Sequence, residues 1–413
     1  MRLLHISDWH LGRLTYRCPR TPDHESVLEE ILELARDVRP HLICHTGDVF
    51  DGLRPGYPEM TRAIDALEEL GAVAPVVVVA GNHDSPALFR LFNRLQGGAP
   101  RIHFVDQARP PEDGGILEFP GAENEVIRLA PLPFVHANRM IDRFEDSRTW
   151  MASYADRIHR IEDALNRGLT ESYDPARDVL IFAAHLYVTG ARFSGSERPL
   201  HVSDTYACRL ERLPQVSYAA FGHIHRPQRL PGSAATGRYA GSAICLDFGE
   251  EGEQKEVVVV EAEPGRPAAV TPHPLTGGRP LRTLVGTLEQ IEKLAPEVGC
   301  ALCRVTVRTE TPTSDLAELL RELCPEAVLL EVNEDCAATR FEVVEAEDVD
   351  TEAEPSFEEL FRSYLAERGT KGASADRVLK TFETLLHAVE EEEEPQLPEI
   401  DKLLSEPLAG ATG

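Results

Sequence analysis

Apolar runs of four residues recur through the first half of this 413-residue chain, and each gives way to a polar cluster. The runs are Leu3–Ile6, Leu42–His45, Val76–Val79, Ile181–Ala184 and Tyr218–Phe221. The clusters that follow them are Asp8-Trp9-His10, Gly47-Asp48, Gly81-Asn82-His83-Asp84, a lone His185, and Gly222-His223-Ile224-His225. Between the runs lie helical patterns. Ser26–Asp37 sets Val27, Ile31 and Leu34 on one face, and Pro58–Leu70 and Ala87–Leu95 carry similar stripes. Short buried strands alternating with amphipathic helices predict a layered α/β domain. Open α/β sheets place their sites in the loops beyond the carboxyl ends of strands, where all five clusters fall.

A further strand is expected at Val257–Glu261, closing a first domain over residues 1–263. The Pro- and Gly-rich stretch 264–280 predicts a linker. Beyond it, Leu281–Leu284, Leu288–Ala295, Ala301–Val307, Ser314–Leu323 and Val328–Val332 read as β-α-β-α-β, a small domain over 281–345. The acidic stretch Glu345–Pro355 separates this from a tail, 346–413, with two amphipathic helices. One places Phe357, Leu360, Phe361, Tyr364 and Leu365 on a stripe, the other Val378, Leu379, Phe382, Leu385, Leu386 and Val389. Those stripes are expected to pack either on their own domain or on a partner's helices. The run Glu390–Glu394 reads as a solvated tail.

The charge balance is acidic: 70 Asp and Glu against 42 Lys and Arg, a net of −28. The last 73 residues hold 20 acidic and 6 basic residues, half of the excess. Sequence-independent phosphate binding runs on Lys and Arg, so this composition excludes a purely electrostatic nucleic-acid binder. No run approaches the ~18 apolar residues of a membrane span. The N-terminus has no apolar core of a signal peptide, and eight scattered cysteines fit reduced thiols in a cytoplasm. Cys300 and Cys303 form a single C-x-x-C in an apparent strand, where positions three apart face opposite sides, and are read as buried thiols rather than zinc ligands.

Taken singly, each polar cluster has a plain reading as satisfied core side chains. Taken together they supply Asp, His, Asp, Asn and three further His in a fixed order at strand exits. A pair of divalent cations ~3.5–4 Å apart can clamp the attacking and leaving oxygens of a phosphoryl centre. Such a pair needs a bridging carboxylate and a mixed nitrogen and oxygen shell, which suits manganese, iron or zinc better than magnesium. In D-x-H and H-x-H the first and third residues point the same way along extended backbone. Glycines before Asp48, Asn82 and His223 are expected to permit sharp turns out of the strands. A general acid is also required for the leaving alkoxide. His83 is placed to approach the metals without being a ligand, and Asp84 is placed to orient its ring.

D-x-H, GD, GNHD, H and GHxH in this order resemble the calcineurin-type metallophosphoesterases. Ser7-Asp8-Trp9-His10-Leu11-Gly12, Gly47-Asp48-Val49-Phe50-Asp51 and Phe221-Gly222-His223-Ile224-His225-Arg226-Pro227-Gln228 resemble, more narrowly, the bacterial SbcD family of nuclease subunits. So do Tyr239-Ala240-Gly241-Ser242 and Asp247-Phe248-Gly249-Glu250. The resemblance covers the first ~260 residues well, and the rest in layout more than in motif. It implies a four-layer α/β/β/α sandwich with a small α/β cap domain and a C-terminal helical tail. It implies one metal held by Asp8, His10, Asp48 and His225 and a second held by Asp48, Asn82, His185 and His223, with Mn2+ preferred. His83 would protonate or stabilise the departing 3′ oxygen. The family acts as a 3′→5′ exonuclease on duplex DNA and an endonuclease on single strands and hairpins. It works as a homodimer bound to the SbcC ATPase in DNA repair and recombination.

One position departs from the pattern. Archaeal relatives carry a second functional histidine three residues after the bridging Asp, where this chain has Asp51. The resemblance also implies dimerisation through Pro58–Leu70 and Ala87–Leu95, for which core packing is the competing reading, and docking of SbcC on the last two helices. No G-x-x-x-x-G-K-[ST] occurs in the chain, so ATP dependence would come from a partner. Arg13, Arg17, Arg20, Arg54, Arg192 and Arg226 lie near motif loops, as phosphate contacts or as solvated surface. A free-standing phosphodiesterase acting on small molecules is the competing function; a cap and helical tail argue against it.

Overall fold

The computed structural model describes residues 1–96, 101–136, 154–197, 216–232, 236–339, 357–367 and 373–390. The expected acidic separator at 345–355 and most of the run at 390–394 lie outside these. The chain divides into two compact units, residues 1–340 and 341–413.

In the first unit the chain runs β1 (Arg2–Ile6), a hairpin of β2 (Leu14–Thr15) and β3 (Cys18–Pro19), α1 (Thr21–Val38), β4 (Leu42–His45), α2 (Tyr57–Val73), β5 (Val76–Val79), α3 (Pro86–Leu95) and β6 (Ile102–Val105). Then follow β7 (Leu117–Pro120), β8 (Val126–Leu132), α4 (Tyr154–Thr170), β9 (Asp178–His185), β10 (Tyr218–Gly222), β11 (Gln228–Arg229), β12 (Gly237–Tyr239), β13 (Glu256–Glu261) and β14 (Ala269–Pro274). These strands form two six-stranded sheets, ordered β14-β13-β1-β4-β5-β6 and β11-β12-β10-β9-β8-β7. The central strands β1, β4, β5 and β6 are parallel, as are β8, β9, β10 and β12, so their carboxyl ends gather at one edge of each sheet.

Both faces of these strands are apolar because both are covered. Between the sheets, Leu3, Leu42, Cys44, Val77 and Val79 meet Ile127, Leu129, Val179, Ile181 and Ala220. On the outer face of the first sheet, Leu4, Ile43, Val76 and Val78 pack under Val27 and Ile31 of α1, Leu67 of α2 and Phe89 of α3. On the outer face of the second, Leu132, Leu180, Phe182 and Phe221 pack under Ile158, Ile161, Leu165 and Leu169 of α4. Each Val, Leu, Ile or Phe side chain among these contributes about 1.5–3 kcal/mol when fully buried. The four expected layers are therefore present, helix, sheet, sheet, helix.

The stretch expected to be a linker is in part sheet: β14, inside 264–280, pairs antiparallel with β13 over six residues. Its two prolines sit on an edge strand, where a missing N–H costs no ladder bond. The small domain follows its expected order, with α5 (Leu288–Val298) and α6 (Leu316–Leu323) connecting the parallel strands β15 (Leu281–Gly286), β16 (Leu302–Thr309) and β17 (Val328–Cys336). Thr287 caps α5 with a reciprocal Gln290 contact. Cys303 is buried in β16, whereas Cys300 is exposed and precedes the strand. The expectation that both thiols are buried is thus corrected, because the strand begins after Cys300. In the second unit, α7 (Phe357–Glu367) and α8 (Ala373–Glu390) pack on each other through stacked Phe361 and Phe382, ring centroids 4.1 Å apart.

Candidate metal centre

Asp8 and His10 follow β1, Asp48 follows β4, and Asn82 and His83 follow β5, so one sheet contributes its carboxyl edge to the site. The second sheet supplies His185, the last residue of β9, and His223 and His225 after β10. All are buried. The backbone turns left-handed at the side chains themselves: φ is +47° at Asp8, +49° at His10, +54° at Asp48 and +97° at His223. Non-glycine residues held there carry strain that the surrounding structure must impose, a pattern that clusters at functional sites. Gly47, with φ +105°, needs glycine for its turn. Gly81 has a different reason, because a Cβ there would overlap the Asp48 carboxylate and backbone N.

Asp8, His10, Asp48 and His225 bring ligand atoms within 4.8 Å of one another and could hold a metal ion. His10 Nε2 and His225 Nε2 are 3.1 Å apart, and His10 Nε2 lies 3.6 Å from Asp48 Oδ2. Beside this group, His185 Nε2 lies 2.9 Å from Asn82 Oδ1, 3.4 Å from Asp48 Oδ2 and 3.2 Å from His223 Nδ1. His223 Nδ1 is 2.8 Å from the same Asn82 oxygen. Asp48 thus stands between two clusters.

The donor set fits a cation. His185 Nδ1 is 2.7 Å from the Thr46 carbonyl oxygen, which can only accept, so Nδ1 carries the hydrogen. In the neutral ring Nε2 then presents a lone pair to two oxygens, an arrangement that needs a proton or a metal ion between them. Titration follows the same logic. Burial works to lower the His185 pKa, but Asp48, then Asp8 and the Thr46 carbonyl, raise it to about 9. Burial opposes charge on Asp48, yet His185 and His83 hold its carboxyl well below the usual range. Burial lifts Asp8 to about 6 and lowers His10 to about 4.

His83 donates its backbone N–H to Asp48 Oδ1 at 2.8 Å, and its Nδ1 donates to the Asp51 carbonyl at 2.7 Å. That leaves Nε2 to face the site, with the ring 4.9 Å from that of His10. The expectation that Asp84 orients this ring is corrected. Asp84 accepts instead from the backbone N–H groups of Gly81 (2.9 Å), Phe50 (3.2 Å) and Val49 (3.3 Å), tying the β4 and β5 loops together. Burial and then Asp48 raise its pKa to about 7. Asp51, at the position where relatives place a histidine, sets its carboxylate 3.3 Å from His10 Nδ1 and 3.5 Å from Arg13.

Of the six arginines near the loops, Arg17, Arg54, Arg192 and Arg226 are exposed, Arg226 with its Nε 3.5 Å from Glu253. Arg20 is fully buried, paired with Asp23 at 2.7 Å, and is removed from the phosphate-contact candidates. Motif reading misses the supports. Ser7 donates to Asp8 at 2.5 Å, Thr46 donates to Ser7 at 2.8 Å, and Glu250 lies 3.4 Å from His225 Nδ1. Burial works to lower the His225 pKa, but Glu250 raises it. Among these supports Ser7 and Glu250 lie in the recognisable motifs Ser7-Asp8-Trp9-His10-Leu11-Gly12 and Asp247-Phe248-Gly249-Glu250; the Thr46 contribution carries no such signal.

Two facing sheets with Asp, Asn and His side chains gathered at their shared edge define the metallophosphoesterase class. A model of the family described as calcineurin-like phosphoesterase matches residues 1–227, and one described as type 5 capsule protein repressor C-terminal domain matches residues 278–368. The SbcD subunit of the nuclease SbcCD from Bacillus subtilis (strain 168) is 31% identical over 296 residues, covering 68% of this chain and 71% of that protein. Its counterpart in the nuclease SbcCD of Escherichia coli (strain K12) is 29% identical over 426 residues, covering 95% and 100%. The chain belongs to the calcineurin-like phosphoesterase family, in its SbcD branch.

Proposed function

We propose that this chain is the nuclease subunit of an SbcC-containing complex, hydrolysing phosphodiester bonds of DNA at a centre for two divalent cations. Asp8, His10, Asp48 and His225 would hold one cation, and Asp48, Asn82, His185 and His223 the other, with Mn2+ the preferred ion. Bound there, the cations supply Lewis-acid polarisation of the phosphoryl group and a nucleophile at neutral pH. His83 would deliver a proton to the departing 3′ oxygen as the imidazolium: its Nδ1–H is committed to the Asp51 carbonyl, so the neutral ring carries no hydrogen on Nε2 and the transferable one is the second proton, taken up at Nε2. Asp84 holds the β4 and β5 loops together so that Asp48 and His83 keep their spacing.

The observation that carries this reading is the His185 ring, whose Nδ1 is tied to a carbonyl and whose Nε2 faces the Asn82 and Asp48 oxygens. Exposed Arg17, Arg54 and Arg192 beside the motif loops support DNA as substrate, in 3′→5′ exonuclease and hairpin or single-strand endonuclease reactions. Exposed Leu91 and Leu95 on α3 and Tyr57 on α2 support the homodimer, and exposed Leu360, Tyr364, Val378 and Leu385 support docking of SbcC on α7 and α8.

The test is a cleavage assay with Mn2+ on blunt duplex, hairpin and single-stranded DNA beside a small phosphodiester. Cleavage of the DNA substrates is expected. Turnover of the small ester alone would assign the chain to a free-standing phosphodiesterase.

A further inference from the structure

His225 is gripped at every polar atom but one. Its backbone N–H donates to Glu197 Oε1 at 3.0 Å. Its carbonyl accepts from Lys255 Nζ at 3.0 Å and from the Ser242 N–H at 3.0 Å. Its Nδ1 lies 2.6 Å from Ser196 Oγ and 3.4 Å from Glu250 Oε1. The Ser196 hydroxyl itself donates to Glu250 Oε1, so its lone pairs face the imidazole. A hydroxyl that spends its hydrogen on a carboxylate can only accept from the ring. Nδ1 therefore carries the hydrogen, and Nε2, the remaining polar atom, turns its lone pair toward His10 Nε2 at 3.1 Å.

The anchor of this arrangement is a buried ion pair. Glu250 is 0% exposed and Lys255 4%, with Nζ 2.7 Å from Glu250 Oε2; the Leu246 N–H adds a bond to the same oxygen at 3.1 Å. Desolvating two charges costs several kcal/mol per ion, so such pairs add little net stability over apolar side chains of the same volume. Lys255 Nζ also lies 3.2 Å from Glu253 Oε2, and the Ser242 hydroxyl donates to Glu250 Oε2 at 3.3 Å. The pair meets His225 from two directions, Glu250 on the ring and Lys255 on the carbonyl. The corresponding ring nitrogen of His185 is held by a neutral backbone carbonyl.

We infer that Glu250 is a positioning residue, which acts through Ser196 to fix the His225 ring in one tautomer and orientation and so sets cation affinity on the Asp8, His10, Asp48 and His225 side of the centre. Carboxylate–histidine–metal chains of this kind are worth ~10–100-fold in metal affinity. The inference rests on the proposed two-cation centre.

The experiment is a calorimetric titration of Mn2+ into the metal-free full-length protein, with melting temperatures measured in chelator. Wild type is expected to bind two ions. Glu250→Gln is expected to weaken one binding step ~10–100-fold, leaving the other step unchanged. Ser196→Ala keeps the Glu250–Lys255 pair, and serves if Glu250→Gln does not fold; it is expected to weaken the same step. Isotope-labelled histidine spectra of the metal-free proteins should show the Nδ1–H form of His225 in wild type and a mixture of tautomers in the variants. Two wild-type binding steps in a folded variant overturn the inference, as does equal weakening of both steps, which would make Glu250 a residue of the fold. Absence of Mn2+ binding to wild type would sink the metal centre itself, a separable result.

Discussion

His83 and His185 sit in the same cluster, and the proposed function gives them opposite tasks. Each ties Nδ1 to a backbone carbonyl, Asp51 for His83 and Thr46 for His185, but His185 Nε2 points at Asn82 and Asp48, whereas His83 groups with His10 and Asp51, their ligand atoms within 4.8 Å of one another. On those tasks His83→Ala is expected to keep both binding steps for Mn2+ while DNA cleavage falls ~100- to 10,000-fold, the range for a lost general acid. A titration showing a missing ion would reassign His83 to the ligands. The pH dependence of loading follows from His185. With its pKa near 9 in the metal-free protein, the ring is protonated at pH 7 and the cation must displace that proton. Mn2+ affinity should rise about tenfold per pH unit from pH 7 toward 9, with a proton released on binding, and flatten above. The same pairing stabilises the metal-free fold. His185 has a raised pKa, so its contribution is full below about 6.5 and is lost as pH rises through about 9; melting temperatures in chelator should fall over that window.

At the level of elements, legibility follows burial on both faces. The strands β1, β4, β5, β9 and β10 read clearly because both of their faces are covered, leaving runs that are apolar but for residues at the strand ends and His5, whose ring nitrogens meet Tyr218 and Thr46. The strand β8 does not, because Arg128 and Pro131 interrupt it; Arg128 is spent on the carbonyls of Gly168 and Glu171 near the end of α4. The helix α4 escapes the pattern because its stripe of Ile158, Ile161, Leu165 and Leu169 is narrow among charges. The helix α1 starts at Thr21, five residues before its expected start, since Pro22 and Asp23 make a first turn with no apolar signal. At the site, the types and order of the residues that gather are legible, whereas the contacts of Ser196 and Lys255 with His225 join segments far apart in sequence and need the fold. The paired helices α7 and α8 belong to this scale too. Their Phe361–Phe382 stack leaves Leu360, Tyr364, Val378 and Leu385 uncovered. Deleting the chain after Pro355 should leave DNA cleavage by the isolated protein in place and abolish co-purification with SbcC. Retained co-purification would place the docking surface on residues 1–355.

For the whole molecule, the net charge of −28 acquires a location and a meaning. Half of the excess lies after residue 340, in the second compact unit, away from the motif loops in sequence. At the centre, the carboxylates of Asp8 and Asp48 would serve as ligands under the proposed function, and two divalent cations would bring a charge of about +4 to the point where a phosphate must approach. An acidic chain of this kind should bind DNA weakly without its cations. No helix among the described residues is long and apolar enough to cross a membrane. Anomalous diffraction from Mn2+-soaked crystals tests whether the two facing sheets converge on one pair of cations bridged by Asp48. Two manganese peaks are expected ~3.5–4 Å apart on either side of the Asp48 carboxylate. A single peak, or peaks that do not share Asp48, would contradict that arrangement.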